Sequence, residues 1–315
     1  MKEYVFGVDV GGTTVKMGLF GSDGKLVEKW EIPTDTSNEG ANILKDIAEA
    51  ISAKLEEKNI DRSRVEGIGI GIPGPVNSQG VVGHCVNLGW GVVPVARELE
   101  SLTGFPVKAG NDANVAAMGE AFIGAAKDAA SSVMVTLGTG VGAGIVIDGK
   151  ILAGENGAAG EFGHIHVQDG EPEACGCGNH GCLEQYASAT GVVRIATRRL
   201  AKDDAPSSLR ELSKVTSKDV FDAAKAGDAV AKEIVHEVCS ILGKAIAKLC
   251  NIVNPAMVVI GGGVSNAGPV LIKEMEESFQ EEVFHGARGT RIELATLGND
   301  AGIYGGAGMV IEAAS

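Results

Sequence analysis

The stretch Gly163–Glu184 reads GHIHVQDGEPEACGCGNHGCLE. It gathers Cys175, Cys177 and Cys182 with three histidines, His164, His166 and His180, among glycines. Thiolate sulfur and imidazole nitrogen are the usual ligands of zinc, and three of the first with one of the second complete a tetrahedron. Four protein ligands leave no place for an activated water, so the expected ion, Zn²⁺, is structural. A thiol redox pair favours Cys-x-x-Cys, whereas the spacing here is Cys-x-Cys-x4-Cys. Spacing does not choose the histidine: His164 stands eleven residues before Cys175, and His166 and His180 compete with it.

Groups of another kind surround the metal pattern. Glu161 precedes His164 by three residues, and Glu184 follows Cys182-Leu183. Carboxylates and an imidazole in one place accept hydrogen bonds from several hydroxyls, which is what a polyhydroxylated ligand needs. The zinc then fastens the loop and fixes Glu161 and Glu184. The second ring nitrogen of a metal-bound histidine stays available to a ligand hydroxyl.

Asn111-Asp112-Ala113-Asn114 lies where a short strand, Val107–Ala109, gives way to a helix running to about Gly124. Asn and Asp at such a junction serve as N-caps. Two polar side chains exceed what one cap needs, and the helix dipole keeps a carboxylate there ionised. An ionised Asp112 can accept a proton from a hydroxyl as that hydroxyl attacks phosphorus.

Two turns are suited to phosphate. Asp9-Val10-Gly11-Gly12-Thr13-Thr14 ends one strand and begins another. Glycines let amide N–H groups face an anion, and threonine hydroxyls add donors. Asp9 can hold Mg²⁺ through water. Lys16 either approaches a phosphate or points to solvent. Leu137-Gly138-Thr139-Gly140-Val141-Gly142 repeats the arrangement. Neither is a P-loop, because no Gly-Lys-Ser/Thr opens a helix, and a strand follows the first turn where a dinucleotide fold needs a helix. Gly261-Gly262-Gly263 follows a buried strand; Gly262 and Gly263 either lie against an adenine or ribose face or pack a strand onto a helix.

The elements that must position these groups come in two cycles. YVFGVDVGGTTVKMGLFGSDGK and MVTLGTGVGAGIVIDGK share one layout: strand, Gly-Thr turn, strand, then a hairpin signal. Ile43, Ile47, Ile51 and Leu55 recur every four residues and predict an amphipathic helix over 42–58. Val65–Ile72 reads as an apolar strand, and Val230, Ile234, Val238, Ile241, Ala245 and Leu249 mark a long helix. The expectation is two α/β lobes of related topology, residues 1–115 with 301–315 and residues 116–300, separated by a cleft. The crossing is placed near residues 112–125, and the C-terminal helix returns to the first lobe.

The totals agree. At roughly 100–200 residues per domain, 315 residues suggest two domains or one large one. Hydrophobic residues at 44% support sizeable cores, and 46 glycines with 4% aromatics suit tight turns and close approach to a ligand. A net charge of −14 excludes neutralisation of a nucleic-acid backbone. Asp9 interrupts an apolar run too short for a signal peptide, and no apolar stretch nears the roughly 20 residues of a membrane span. A cytoplasmic protein with no membrane partner is expected. Cys85, Cys239 and Cys250 stand alone and read as small buried hydrophobes.

DVGGTTVKMGLF, GIPGPV, CVNLGW, GNDAN, TLGTGVGAGIVIDGK, GEFGHIHV, CGCGNHGCLEQYASATG, GGGVSNAG and GNDAGIYGGA together resemble the ROK family (repressors, open reading frames and kinases) over essentially the whole chain. The cysteine block and GEFGH are the most specific parts. NLGW, GTGVGAG and EQYASATGVVRIA are most similar to the family's bacterial ATP-dependent glucose kinases. The resemblance implies an α/β, two-lobed actin-like/hexokinase-type ATPase fold, with RNase H-like lobes and an interlobe cleft. It implies phosphorylation of the 6-hydroxyl of glucose by ATP with Mg²⁺. By position, Asp112 becomes the catalytic base, and Asn111, Glu161, His164 and Glu184 become sugar ligands beside the Gly74 turn. Asp9, Gly11, Gly12, Thr13, Gly138, Thr139 and Gly140 become the phosphate and metal region, and His164, Cys175, Cys177 and Cys182 the zinc ligands. Phe162 and the extra glycine at Gly261 depart from many members. N-acetylhexosamine and fructose kinases share these groups and differ in pocket shape near C2. Family repressors carry a helix-turn-helix before the first phosphate turn; only eight residues precede Asp9 here, so no such domain is expected. A non-catalytic sugar regulator would leave Asp112 and both turns idle. The family implies a homodimer or homotetramer.

Overall fold

The computed structural model describes residues 2–314. The chain divides into two compact units, residues 1–134 with 144–160 and 296–315, and residues 135–143 with 161–295.

Unit one is built on a sheet of β1 (Tyr4–Val10), β2 (Thr14–Gly21) and β3 (Leu26–Pro33), then α1 (Ile43–Glu57), β4 (Val65–Ile72), α2 (Val95–Thr103), β5 (Val107–Asn111) and α3 (Asp112–Phe122). The strand order is β3-β2-β1-β4-β5. β1 pairs antiparallel with β2 and parallel with β4, and β4 pairs parallel with β5. Alternation along β1 sends Phe6, Val8 and Val10 to one face and Val5 to the other. The first face is covered by α1, whose Ile43, Ile47, Ile51 and Leu55 are all buried, as their four-residue spacing requires.

The second face takes the C-terminal helix, Ala301–Ala314. β4 reads VEGIGIGI, so one face carries isoleucines and the other only glycines after Glu66. The helix, AGIYGGAGMVIEAA, answers with glycines of its own. A β-carbon added at Gly69 would fall 1.8 Å from the Gly306 carbonyl oxygen. One added at Gly305 would fall 1.7 Å from that of Val115 in α3. Part of the glycine excess thus serves backbone-to-backbone packing, beside the tight turns to which the composition pointed.

After α3 the chain forms β6 (Ser131–Leu137), β7 (Val141–Ile147) and β8 (Lys150–Ile151). Then come α4 (Glu184–Ala187), α5 (Ala189–Lys202), α6 (Ser217–Lys225), α7 (Ala229–Val253), β9 (Met257–Gly261), α8 (Pro269–Glu282) and β10 (Arg291–Leu294), and α9 is the C-terminal helix. The second sheet runs β10-β9-β6-β7-β8. Read from β8, this is the order of the first sheet, as the repeated strand–turn–strand layout predicts. The unit boundary runs past residue 115 because α3 packs on α9. Residues 144–160 stay with unit one because Gly144 lies against α3, where its β-carbon would stand 2.6 Å from Ala117 Cβ. Cys85, Cys239 and Cys250 are buried. Among the described residues no helix is long and apolar enough to cross a membrane.

Candidate functional site

The metal pattern lies in unit two. His164 ends a single 3-10 turn, Phe162–His164. The ligand atoms of His164, Cys175, Cys177 and Cys182 all lie within 4.8 Å of one another. Cys175 Sγ stands 3.7 Å from His164 Nδ1, and Cys177 Sγ 3.7 Å from Cys182 Sγ. A tetrahedron about an ion roughly 2.3 Å from each sulfur has edges of about 3.8 Å, so the set fits zinc. The competing histidines are engaged elsewhere. His166 bonds His180 O and Asp169 Oδ1 at 3.0 and 2.9 Å, and His180 Nδ1 bonds Glu171 O at 2.9 Å. Burial pushes the Cys175 thiol up to about 12, while a hydrogen bond from the Asn179 backbone draws Cys177 down. A divalent ion reverses the first of these, because a coordinated thiol deprotonates.

The acidic groups converge on this cluster. Glu184, the first residue of α4, accepts a hydrogen bond from Cys175 Sγ at 3.1 Å through Oε1 and from Val141 N at 3.4 Å through Oε2. Glu161 Oε2 is 3.8 Å from His164 Nε2, the nitrogen away from Cys175. Glu161 is exposed and Glu184 partly buried. The Gly138 turn closes through Gly138 N to Gly140 O at 3.0 Å. It is braced by the start of α5, where Ala189 N donates to Gly138 O at 2.8 Å and Thr190 Oγ1 to Thr139 O at 2.7 Å. Thr139, Gly140, Cys175, Glu184, Thr190 and Arg194 line a cavity of about 360 Å³.

In unit one, Asn111 caps α3 and also orients its neighbour. Its Oδ1 accepts from Ala113 N at 3.0 Å and Asn114 N at 3.2 Å. With the oxygen so committed, Nδ2 donates to Asp112 Oδ1 at 2.9 Å and to Gly74 O at 3.0 Å. The capping reading of the sequence holds, and the same side chain also holds the Asp112 carboxylate. Gly74 has φ of 97°, a left-handed conformation suited to glycine.

Asp9, the last residue but one of β1, pairs with Lys16 of β2. Burial raises its carboxyl to about 6, Lys16 opposes the rise and Asp112 adds to it. Lys16 Nζ donates to Asn299 O at 2.9 Å, so its ammonium is held by backbone. The Gly11 turn closes through Gly11 N to Thr14 O at 3.0 Å, and Thr34 Oγ1 donates to Gly11 O at 2.7 Å. β-carbons added at Gly12 and Gly138 would meet nothing nearer than 3.8 and 4.0 Å, which leaves both turns open to a ligand. Gly262 differs: it has φ of 83°, and its β-carbon would fall 2.6 Å from Leu137 backbone, so strand packing demands the glycine. A β-carbon at Gly263 would meet open space.

Spacing gave no sign of Glu171. Its carboxylate is buried and takes hydrogen bonds from Tyr186, Arg194 and Arg198, residues 15 to 27 positions later. Glu120 was equally hidden; it is buried in α3 and accepts from the backbone of Ala125, Thr296 and Leu297.

Two five-stranded sheets that repeat one strand order, together with a Cys₃His loop, define a class of protein. The sequence pattern of the ROK family matches residues 5–313, and the chain belongs to that family. It is 46% identical over 309 residues to a glucokinase of Halalkalibacterium halodurans, covering 96% of this chain and 94% of that protein. A ROK hexokinase from Thermus thermophilus superposes with a TM-score of 0.82 at 34% identity, over 98% of this chain and 97% of that one. A ROK family glucokinase from Streptomyces griseus, solved with glucose and AMPPNP, gives 0.76 at 34% identity over 97% and 98%. The fold is therefore the α/β hexokinase type.

Proposed function

We propose that this chain is an ATP-dependent glucokinase, transferring the γ-phosphoryl group of ATP to the 6-hydroxyl of glucose. The observation that carries the reading is Asp112, whose carboxylate is fixed at the start of α3 by the Asn111 amide at 2.9 Å. Relatives named glucokinase match nearly the whole chain, and the related Streptomyces griseus enzyme was solved with both a sugar and a nucleotide analogue.

Asp112 accepts the proton of the 6-hydroxyl as its oxygen attacks the γ-phosphorus, and ADP departs. Asn111 orients the base and binds the sugar. Glu161 and Glu184 accept the other hydroxyls, and the His164 Nε2–H donates to a sugar oxygen. The Gly11–Thr14 and Gly138–Gly140 turns hold phosphate oxygens, with Gly263 beside the nucleotide. Mg²⁺, when bound, neutralises phosphate charge, and Asp9 would hold it. His164, Cys175, Cys177 and Cys182 would hold Zn²⁺, which would fasten the loop in which Glu161 and Glu184 stand.

The test is ADP release by the purified chain with Mg-ATP on glucose, N-acetylglucosamine, N-acetylmannosamine and fructose. Glucose is expected to give the highest kcat/KM. A higher value on another sugar moves the assignment to that sugar, and no release on any of them removes the kinase reading.

A further inference from the structure

The Cys₃His cluster lies on one side of the loop between His164 and Glu184, and a buried carboxylate holds the other. Glu171 lies in the stretch between His164 and Cys175, and its side chain is 1% exposed. Arg198 meets it with two nitrogens at 2.8 and 2.9 Å, Arg194 Nη2 at 2.5 Å and Tyr186 Oη at 2.5 Å. These bonds hold the Glu171 carboxyl far below the usual carboxylate range, Arg198 contributing most. A buried anion is tolerated only when paired and fully hydrogen-bonded, and removing one member is costly. The partners stand on two consecutive helices: Arg194 and Arg198 on α5, and Tyr186 on α4.

α4 has only four residues, and Glu184 is its first. It is too short to hold its own geometry. Gln185 and Tyr186, the next two residues, both reach into the 171–182 segment. Gln185 Nε2 donates to Glu173 O and its Oε1 accepts from Cys182 N, each at 3.0 Å. Tyr186 donates to Glu171.

We propose that Glu171 is a positioning residue: it anchors the turn of helix that aims the Glu184 carboxylate at the sugar, independently of the metal. The inference rests on Glu184 as a sugar ligand.

The experiment uses the full zinc-loaded chain and three variants. Glu171→Gln keeps the shape and loses the charge. It should raise the glucose KM roughly tenfold, the scale of outer-shell effects on a ligand site, and leave the ATP KM and zinc content unchanged. Glu171→Asp should recover part of the loss. Tyr186→Phe removes a single hydrogen bond and should raise the glucose KM in the same direction by a smaller factor; it decides the matter if Glu171→Gln does not fold. A wild-type glucose KM in Tyr186→Phe, and in any folded Glu171→Gln, overturns the proposal, as does loss of zinc alongside the change in KM. Failure of the glucokinase reading shows separately, as no ADP release on glucose by the unsubstituted chain.

Discussion

Gly140 and Glu184 are in contact: a β-carbon added at Gly140 would stand 2.5 Å from Glu184 Oε2. The atom it meets is the free end of a flexible side chain, and the Gly140 backbone is not left-handed. Gly140→Ala should therefore fold with stability within about 1 kcal/mol of wild type, yet turn the Glu184 carboxylate away. A several-fold rise in glucose KM, read beside an unshifted urea midpoint, is the expected outcome.

Gly69→Ala should do the opposite. Its β-carbon would strike the Gly306 carbonyl at 1.8 Å, and backbone lies on both sides of the clash. Overpacking of a rigid contact costs about 1–3 kcal/mol and occasionally more. The urea midpoint should fall, and any folded fraction should keep the wild-type glucose KM, because the affected contact is between β4 and α9.

Asp9 links pH to stability, and the proposed function predicts that it also links pH to nucleotide binding. Its carboxyl is raised from 3.8 to about 6, chiefly by burial. Between those values the folded chain holds a proton that the unfolded chain has released. Stability from this group is therefore present below 3.8 and lost as pH rises through about 6. Asp9→Asn should melt above wild type at pH 8 without nucleotide, with the advantage shrinking toward pH 5. The same variant should bind Mg-ATP more weakly at pH 8. Calorimetry at the two pH values, with and without Mg-ATP, checks both signs.

Cys177 is an exposed member of the Cys₃His set, so replacing it opens no cavity. Elemental analysis of wild type should give about one zinc per chain. Cys177→Ser should lose most of it and bind glucose several-fold more weakly, while AMPPNP binding changes little.

The sequence and the structure meet closely at local features. The four-residue spacing in α1, the two Gly-Thr turns and the Cys-x-Cys-x4-Cys run all depend on neighbours in the chain, and each stands where its spacing put it. His164 could not be chosen over His166 and His180 by spacing, because what separates them is the hydrogen bonds that occupy the other two rings. Asn111 looked like either a cap or a ligand until its two amide atoms were seen to face different ways. Glu171 was illegible because its worth lies in arginines on α5, and a lone Glu in a polar loop looks solvated. The glycine face of β4 was legible as GIGIG, but its meaning needed the sight of Gly306 across from Gly69.

The most direct measurement compares the rate of glucose 6-phosphate formation by wild type and Asp112→Asn at saturating glucose and Mg-ATP, with glucose affinity measured by calorimetry on both. The Asn side chain preserves the shape and cannot take the hydroxyl proton. Turnover should fall by roughly 10²–10⁴, the usual contribution of a general base, with glucose still bound. Turnover within a few-fold of wild type would contradict the assignment of Asp112 and the phosphoryl-transfer account built on it.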